Sequence, residues 1–308
     1  MRVLVTGASG FIGGAVCTQL RGRGHEVTAL VRRSGSEPAG AAAAVADVRD
    51  PGALARALAE SRPECVVHLA AEIASQRDAR KVQDVNVEGT RRLVAACAEH
   101  RPRIVFASTV VTGDAQGVLL CEDEALPVHT PYGRAKQEGE RIVAESGLPW
   151  VVVRPSHVYG PGGWYANELV PLLRRPGRFA VIGSGENMWD VVHVDDVAAA
   201  FVLAAESAPA GSTYHVADDE PITYYDFMAL TASTLGVGKP RRLPVLLARL
   251  AAGANAVDAV VRSARSSNAR AKRELGLTLR FPSAREGVPD ALARLAAQAN
   301  ARSASSAT

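Results

Sequence analysis

The chain has 308 residues, 47% hydrophobic and 22% charged, a balance that excludes a disordered, collagen-like or low-complexity protein. With 35 Lys and Arg against 32 Asp and Glu the net charge is +3, which gives no electrostatic reason to expect nucleic acid or an anionic membrane as partner. The length suits two units of ~150 residues, or one large α/β unit with an appended lobe. Cys17, Cys65, Cys97 and Cys121 lie far apart with no C-x-x-C pair, which argues against a disulfide framework or a zinc site and suits a reducing cytosol.

The first strand, Arg2-Val3-Leu4-Val5, runs straight into Thr6-Gly7-Ala8-Ser9-Gly10-Phe11-Ile12-Gly13. A cleaved signal peptide would remove that strand, so the expectation is a cytoplasmic protein. No uninterrupted apolar run reaches the ~18 residues of a membrane span. The nearest approach, residues 245–261, is broken by Arg249, Asn255 and Asp258 and reads as a core or lid helix.

Apolar runs at residues 3–5, 27–31, 44–46, 65–69, 104–107 and 150–153 alternate with helical patterns at 12–23, 52–61, 85–99 and 132–145. Strands that are apolar on both faces and separated by helices predict a parallel sheet covered on both sides, a Rossmann-type doubly wound α/β fold. Gly24 and Gly147 follow helices and suit left-handed caps. Beyond residue 155 the alternation weakens, punctuated by Gly160-Pro161-Gly162-Gly163, Pro176-Gly177 and Gly183-Ser184-Gly185. A helix at 197–205 after Asp195-Asp196, a strand at 213–216 and a helix at 225–235 follow. Residues 1–155 are therefore read as a dinucleotide-binding domain whose sheet is completed by segments at about 180–216. Residues 156–300 form an interleaved smaller substrate lobe, and residues 301–308 a frayed tail.

Gly7, Gly10 and Gly13 have the spacing G-x-x-G-x-x-G between the first strand and the first helix. Glycine there permits a tight turn and lets the main chain from Gly7 through Ser9, Gly10, Phe11, Ile12 and Gly13 approach a pyrophosphate, with the helix N-terminus adding partial positive charge. The second strand ends in Arg32-Arg33-Ser34, without the acid that would bond the ribose hydroxyls of NAD. Two guanidiniums there suit the extra phosphate of NADP, so NADP is preferred over NAD. Asp47-Val48, after the third strand, is placed to border the adenine.

With Tyr132-Gly133-Arg134-Ala135-Lys136 added, the chain resembles the extended short-chain dehydrogenase/reductase superfamily. The likeness is to its NAD(P)-dependent epimerase/dehydratase, dihydroflavonol-reductase-like and 3β-hydroxysteroid-dehydrogenase-like members. It runs on through Val67-His68-Leu69-Ala70-Ala71, Asn86-Val87-Glu88-Gly89-Thr90, Ser108-Thr109, Arg154-Pro155, Val158-Tyr159-Gly160-Pro161 and Val192-His193-Val194-Asp195-Asp196. Tyr132 and Lys136, at i and i+4, share a helix face. To exchange protons near neutrality a phenol must drop about three units from ~10, and a nearby ammonium with the cationic nicotinamide can supply that shift.

A hydroxyl from the end of the fifth strand orients the substrate oxygen. Counting forward from Ile104 makes it Thr109, the preferred choice, and counting back from Gly113 makes it Ser108. The resemblance further implies that Leu69, Ala70 and Ala71 line the cofactor cleft and that Lys136 also bonds the nicotinamide ribose. It implies that Pro155, His157 and Val158 meet the nicotinamide end, and that two copies pair through helices 85–99 and 132–145. Asn86, which the resemblance implies supports the active-site helix, could equally cap a helix at 87–99. His68 reads as a satisfied core histidine. Asp195 or Asp196 reads as a helix cap, and a Cys121–His129 acid/base pair for epimerisation is disfavoured.

The departures bear on substrate. Sugar dehydratases of this branch carry Asp-Glu after the Ser/Thr; Val110 and Val111 cannot exchange protons. Trp189 stands where nucleotide-sugar enzymes place an Arg on the substrate diphosphate, and His157 replaces a frequent Asn. Either Trp189 is an apolar wall of the substrate cleft, or it is core and Arg174, Arg175 or Arg178 binds phosphates. The first reading is preferred, giving an NADP(H)-dependent oxidoreductase acting on a carbonyl or alcohol group of a non-nucleotide small molecule. The alternatives are a nucleotide-sugar 4-epimerase with tightly held cofactor and a non-catalytic NADP sensor. A sensor needs neither Tyr-x-x-x-Lys nor Ser-Thr.

Overall fold

The structure, a computed structural model, describes all residues except 74, 75, 77, 176–178, 253–256, 258, 259 and 306–308. Arg178, Asn255 and Asp258 therefore lie outside the described residues. Seven parallel strands form the central sheet: β1 (Arg2–Thr6), β2 (Glu26–Val31), β3 (Ala42–Val45), β4 (Cys65–His68), β5 (Arg103–Ala107), β7 (Trp150–Pro155) and β11 (Ser212–Val216). A two-residue β6 (Leu119–Leu120) lies outside it. The order β11-β7-β5-β4-β1-β2-β3 has β1 central, with β2 on one side and β4 on the other. The crevice at that reversal, beyond the C-terminal strand ends, is where doubly wound sheets take ligands.

Both faces of the sheet are apolar because both are covered. Val3, Val5, Val105 and Val153 pack with Val16 and Leu20 of α1 (Phe11–Gly22) and with Val197 and Phe201 of α7 (Val194–Ser207). On the other face Leu4, Val66, Ile104 and Phe106 meet α2 (Pro51–Ser61) and the helices that follow β4 and precede β7. Gly24 and Gly147 do take the left-handed conformation, at φ +82° and +69°.

Residues 79–96 form one helical run in three parts: α3 (Ala79–Val82), a π-helical stretch Gln83–Glu88 and α4 (Gly89–Ala96). Opposite it lies α5 (Pro131–Ala144), started by Thr130, whose hydroxyl accepts from Gly133 N at 2.9 Å. Two contacts seat α5 on the sheet. A Cβ at Gly139 would lie 2.5 Å from Phe106 Cζ, so glycine allows the close approach of helix to strand. One turn beyond Lys136, Glu140 accepts a two-pronged bond from Arg154 of β7, at 2.8 and 2.6 Å.

The smaller lobe has its own core of Tyr159, Tyr165, Trp189, Tyr224, Phe227 and Val288. Here β8 (His157–Tyr159) pairs with β10 (Val191–His193), and β9 (Ala180–Ile182) with β12 (Arg241–Leu243). Of the segment 180–216 expected to complete the main sheet, α7 and β11 belong to that unit, while β9 and β10 form separate pairs. Residues 301–305, expected to fray, continue the C-terminal helix Ala284–Ser305. The expected Asp cap is also corrected. α7 starts three residues earlier, and His193 caps it by accepting from Asp195 N. Asp196 instead accepts from Arg280 N and Phe281 N, at 2.6 and 3.1 Å, tying down the C-terminal segment.

Gly139→Val pushes a branched side chain into the Phe106 ring. The expected loss of stability is about 1–3 kcal/mol, read from the midpoint of urea unfolding; an unchanged midpoint contradicts the close seat of α5.

Candidate active site

The glycine turn is built for the approach of a ligand. Gly7 sits at φ +66°, and a Cβ on it would lie 2.8 Å from Ala70 N. A Cβ on Gly13 would lie 2.1 Å from Gly7 O, so only glycine lets α1 pack on the turn. Gly10 is the extended N-cap residue and provides no capping side chain. Ser9 and Gly10 are exposed, and the first turn of α1 carries no acid. Uncapped N–H groups with the positive end of the helix suit a pyrophosphate. Phe11, next in line, lies under the Gly160–Gly163 segment: Cβ atoms at Gly162 and Gly163 would each come within 2.6 Å of its ring. Ile12 and Gly13 continue α1 behind it.

Beyond β2, Arg32 and Arg33 are both exposed. The Asp47 carboxylate is held below its usual range by the Arg49 fork at 3.0 and 2.8 Å, with Arg32 adding its charge. Val48 packs on Gly89. The end of β4 is fixed by a chain of hydrogen bonds. Thr6 Oγ1 accepts from Leu69 N and Ala70 N, both at 3.1 Å, so its own proton goes to His68 Nδ1 at 2.7 Å. His68 Nε2 then donates to Thr90 Oγ1 at 3.0 Å, and Thr90 donates to Asn86 O at 2.7 Å. Burial pushes His68 down to about 3, so it stays neutral, a satisfied core histidine as expected. Asn86 caps no helix; its side chain clasps the main chain of Glu72 through both N–H and C=O, beside Ala71.

Tyr132 is half-buried and Lys136 buried. Lys136 Nζ donates to Ala107 O at 2.8 Å and lies 5.8 Å from the centre of the Tyr132 ring and 5.3 Å from that of Phe106. The two side chains share a face as their spacing requires, but the electrostatics differ from expectation. Burial pushes the Tyr132 phenol up to about 12 and the Lys136 amine down to about 8, with Glu140 pulling the amine the other way. In the protein alone desolvation outweighs the ammonium, so the lysine by itself does not bring the phenol toward neutrality.

Ser108 and Thr109 stand at the end of β5, both buried. Thr109 Oγ1 donates to Pro155 O at 3.1 Å and accepts from Val111 N at 2.9 Å. Ser108 N and Val110 N continue the ladder with β7, which turns Ser108 to the face of Phe106 and α5. Its hydroxyl has no hydrogen-bond partner among the described residues.

Past Pro155, His157 Nδ1 donates to Asp190 O at 2.8 Å, leaving Nε2 as an acceptor 2.6 Å from Arg262 Nη2. Its ring stacks on Trp189, centroids 3.8 Å apart, and the neighbouring Val158 is half-buried. Trp189 is buried among Tyr224 and the lobe core. It therefore backs His157, and the expected open apolar wall is corrected. Arg174 and Arg175 are exposed beyond α6 (Val170–Leu173). No contact joins Cys121 to His129 among the described residues. Sequence reasoning missed Arg262, since nothing in Val260-Val261-Arg262-Ser263-Ala264-Arg265 distinguishes it from its neighbours.

Comparison with known proteins identifies the family. The NAD dependent epimerase/dehydratase family matches residues 3–217. The chain belongs to that family. It is 37% identical over 302 residues to a 3-diazoavenalumate denitrifying reductase of a Streptomyces species, covering 94% of this chain and 99% of the relative. It is 32% identical to a 2-alkyl-3-oxoalkanoate reductase of Stenotrophomonas maltophilia, covering 78% of this chain and 77% of that protein. Among solved structures it is similar to the UDP-glucose 4-epimerase of Thermotoga maritima, with TM-score 0.82, 26% identity and coverage of 97% and 99% of the two chains. The UDP-glucose 4-epimerase of Thermus thermophilus in complex with NAD gives TM-score 0.81 and 27% identity, with 96% and 99% covered. The protein is an NAD(P)-dependent oxidoreductase of the extended short-chain type. No described helix is long and apolar enough to cross a membrane.

The Lys136 amine is a cation below its value of about 8 and neutral above it. Turnover that needs the cation is expected to fall above about pH 8, approaching tenfold per unit, and Lys136→Met is expected to lose that limb. A wild-type pH–kcat profile flat from pH 7 to 10 contradicts the assignment.

Proposed function

We propose that the protein is an NADP(H)-dependent reductase of a ketone or aldehyde group in a non-nucleotide small molecule. The observation that carries this reading is buried Lys136, which lies beside the Tyr132 ring and bonds Ala107 O, the carbonyl directly before Ser108 and Thr109 at the end of β5. Gly7, Gly10 and Gly13 would hold the pyrophosphate, Arg32 and Arg33 the adenosine phosphate, with Asp47 and Val48 beside the adenine. Leu69, Ala70 and Ala71 would line the cleft, and Pro155, His157 and Val158 the nicotinamide end. When bound, the dinucleotide supplies or accepts the hydride. Tyr132 gives its proton to the carbonyl oxygen in reduction and removes it in oxidation. A phenol held high stays protonated and ready to donate, and the positive charge of Lys136 stabilises the phenolate left behind.

A strand hydroxyl donates to the same substrate oxygen. Thr109 must give up its bond to Pro155 O to do so, whereas Ser108 gives up none, which favours Ser108. The relative named as a 2-alkyl-3-oxoalkanoate reductase supports carbonyl reduction, and the one named as a denitrifying reductase supports reductive chemistry without a carbonyl. The structural likeness to UDP-glucose 4-epimerases is the observation that favours the second reading, a nucleotide-sugar epimerase. A second copy of the chain is the proposed partner, docking on the segments 85–99 and 132–145; beside them Val82, Gln83 and Val87 of the helical run 79–96 and Pro131, Arg134 and Ala135 of α5 line a groove.

With NADPH and a panel of ketones and aldehydes, Tyr132→Phe is expected to lower kcat by about 10²–10⁴. Ser108→Ala is expected to lower it by about 10²–10³, and Thr109→Val by less than tenfold. The reverse order makes Thr109 the donor. Interconversion of a UDP-sugar without net NADPH consumption makes the epimerase reading correct. NADPH is expected to bind at least about tenfold more tightly than NADH, and the double change Arg32→Ala, Arg33→Ala to remove the difference. Equal affinities in the wild type, followed by fluorescence titration, refute the NADP preference.

A further inference from the structure

Arg262 is 8% exposed, yet the mechanism above does not use it. One of its five N–H donors is engaged, Nη2 donating to His157 Nε2 at 2.6 Å. Nε is enclosed and has no partner, and Nη1 has none among the described residues. The acceptor is a neutral histidine, whose tautomer is fixed by donation to Asp190 O, so the bond orients the guanidinium without compensating its charge. The nearby acid, Asp114, turns Oδ1 to the main-chain N–H groups of Ser263 and Gln116, both at 2.9 Å. The nearby cation, Arg265, faces the Asp190 carboxylate. The guanidinium thus keeps unpartnered N–H donors almost wholly out of water, with Asp114 as its acidic neighbour and the Trp189 ring centre 5.9 Å from Cζ, a costly arrangement for a merely structural arginine.

Its neighbours link it to the segments that carry the candidate site. Ser263 O accepts from Ala115 N and Gly117 N, at 3.0 and 3.2 Å, clipping residue 263 to the loop that follows Ser108 and Thr109. On the other side, His157 lies two residues past Pro155, whose carbonyl receives the Thr109 hydroxyl. Trp189 lies beneath, bridged through its backbone to Ala264.

We propose that Arg262 anchors a carboxylate of the substrate, so that the compound reduced is an oxo acid rather than a neutral ketone or a nucleotide sugar. This rests on the reductase reading of the same site and adds the substrate's charge. A planar fork with free N–H groups matches one carboxylate, and a single net charge matches a monoanion better than a diphosphate.

The test uses oxo acids and their methyl esters, benzoylformate, 4-oxopentanoate and 5-oxo-5-phenylpentanoate, followed by NADPH absorbance. Calorimetry of the NADP-loaded protein with 3-phenylpropanoate, 3-phenylpropanamide and UDP runs beside it. At least one acid is expected to exceed its ester about tenfold or more in kcat/KM. That ratio is expected to fall to about one in Arg262→Met and to an intermediate value in Arg262→Lys. Esters turned over as well as acids, or a ratio that survives Arg262→Met, overturn the proposal while keeping the reductase reading. If no carbonyl is reduced, the reductase reading fails and calorimetry decides the anchor. Preference for the carboxylate over the amide, lost in Arg262→Met, supports it, and equal binding overturns it. UDP binding that depends on Arg262 overturns the oxo acid in favour of a nucleotide. If Arg262→Met does not fold, the wild-type ratios and the Arg262→Lys variant decide.

Discussion

The docking of α5 on the ends of β5 and β7 is the constraint on which the rest of the site depends. Lys136 reaches Ala107 O only because the helix lies close to the strand, and it lies close because residue 139 has no side chain. The Arg154 fork on Glu140 fixes the helix along its length. Once these contacts are made, Tyr132, Lys136 and the Ser108–Thr109 corner have little freedom relative to one another. Groups proposed as catalytic, from two separate elements, are thereby fixed before any ligand arrives, which is the organisation catalysis by positioning requires.

Much of this was legible in the sequence because its physical causes are local. Two-sided apolar strands announce a parallel sheet, and a glycine turn after the first strand announces the dinucleotide crevice. The steric need for Gly7 and Gly13, now visible as contacts a Cβ would violate, is a backbone property carried by residue identity alone. The i, i+4 relation of Tyr132 and Lys136 survives because a helix makes it geometric.

What the sequence did not carry depends on partners distant in the chain. The expected lowering of the Tyr132 phenol drew on Lys136 and a cationic nicotinamide together; in the protein alone burial, a tertiary quantity, dominates both groups. Asp196 looked like a helix cap because Asp commonly caps helices. Its real partners, Arg280 and Phe281, come from the far end of the chain. The burial of Trp189 against His157 follows from lobe packing that no local pattern encodes. Arg262 is the plainest case, since its burial beside His157 and its unpartnered Nε are tertiary properties that no local pattern encodes.

The Phe11 ring lies beneath Gly160, Gly162 and Gly163, and the bare backbone of those residues rests on it. A flexible side chain between them would absorb small displacements; a rigid ring against main chain passes them on. The head of α1 and the segment leading into the smaller lobe therefore meet ring against main chain, with no slack side chain between them.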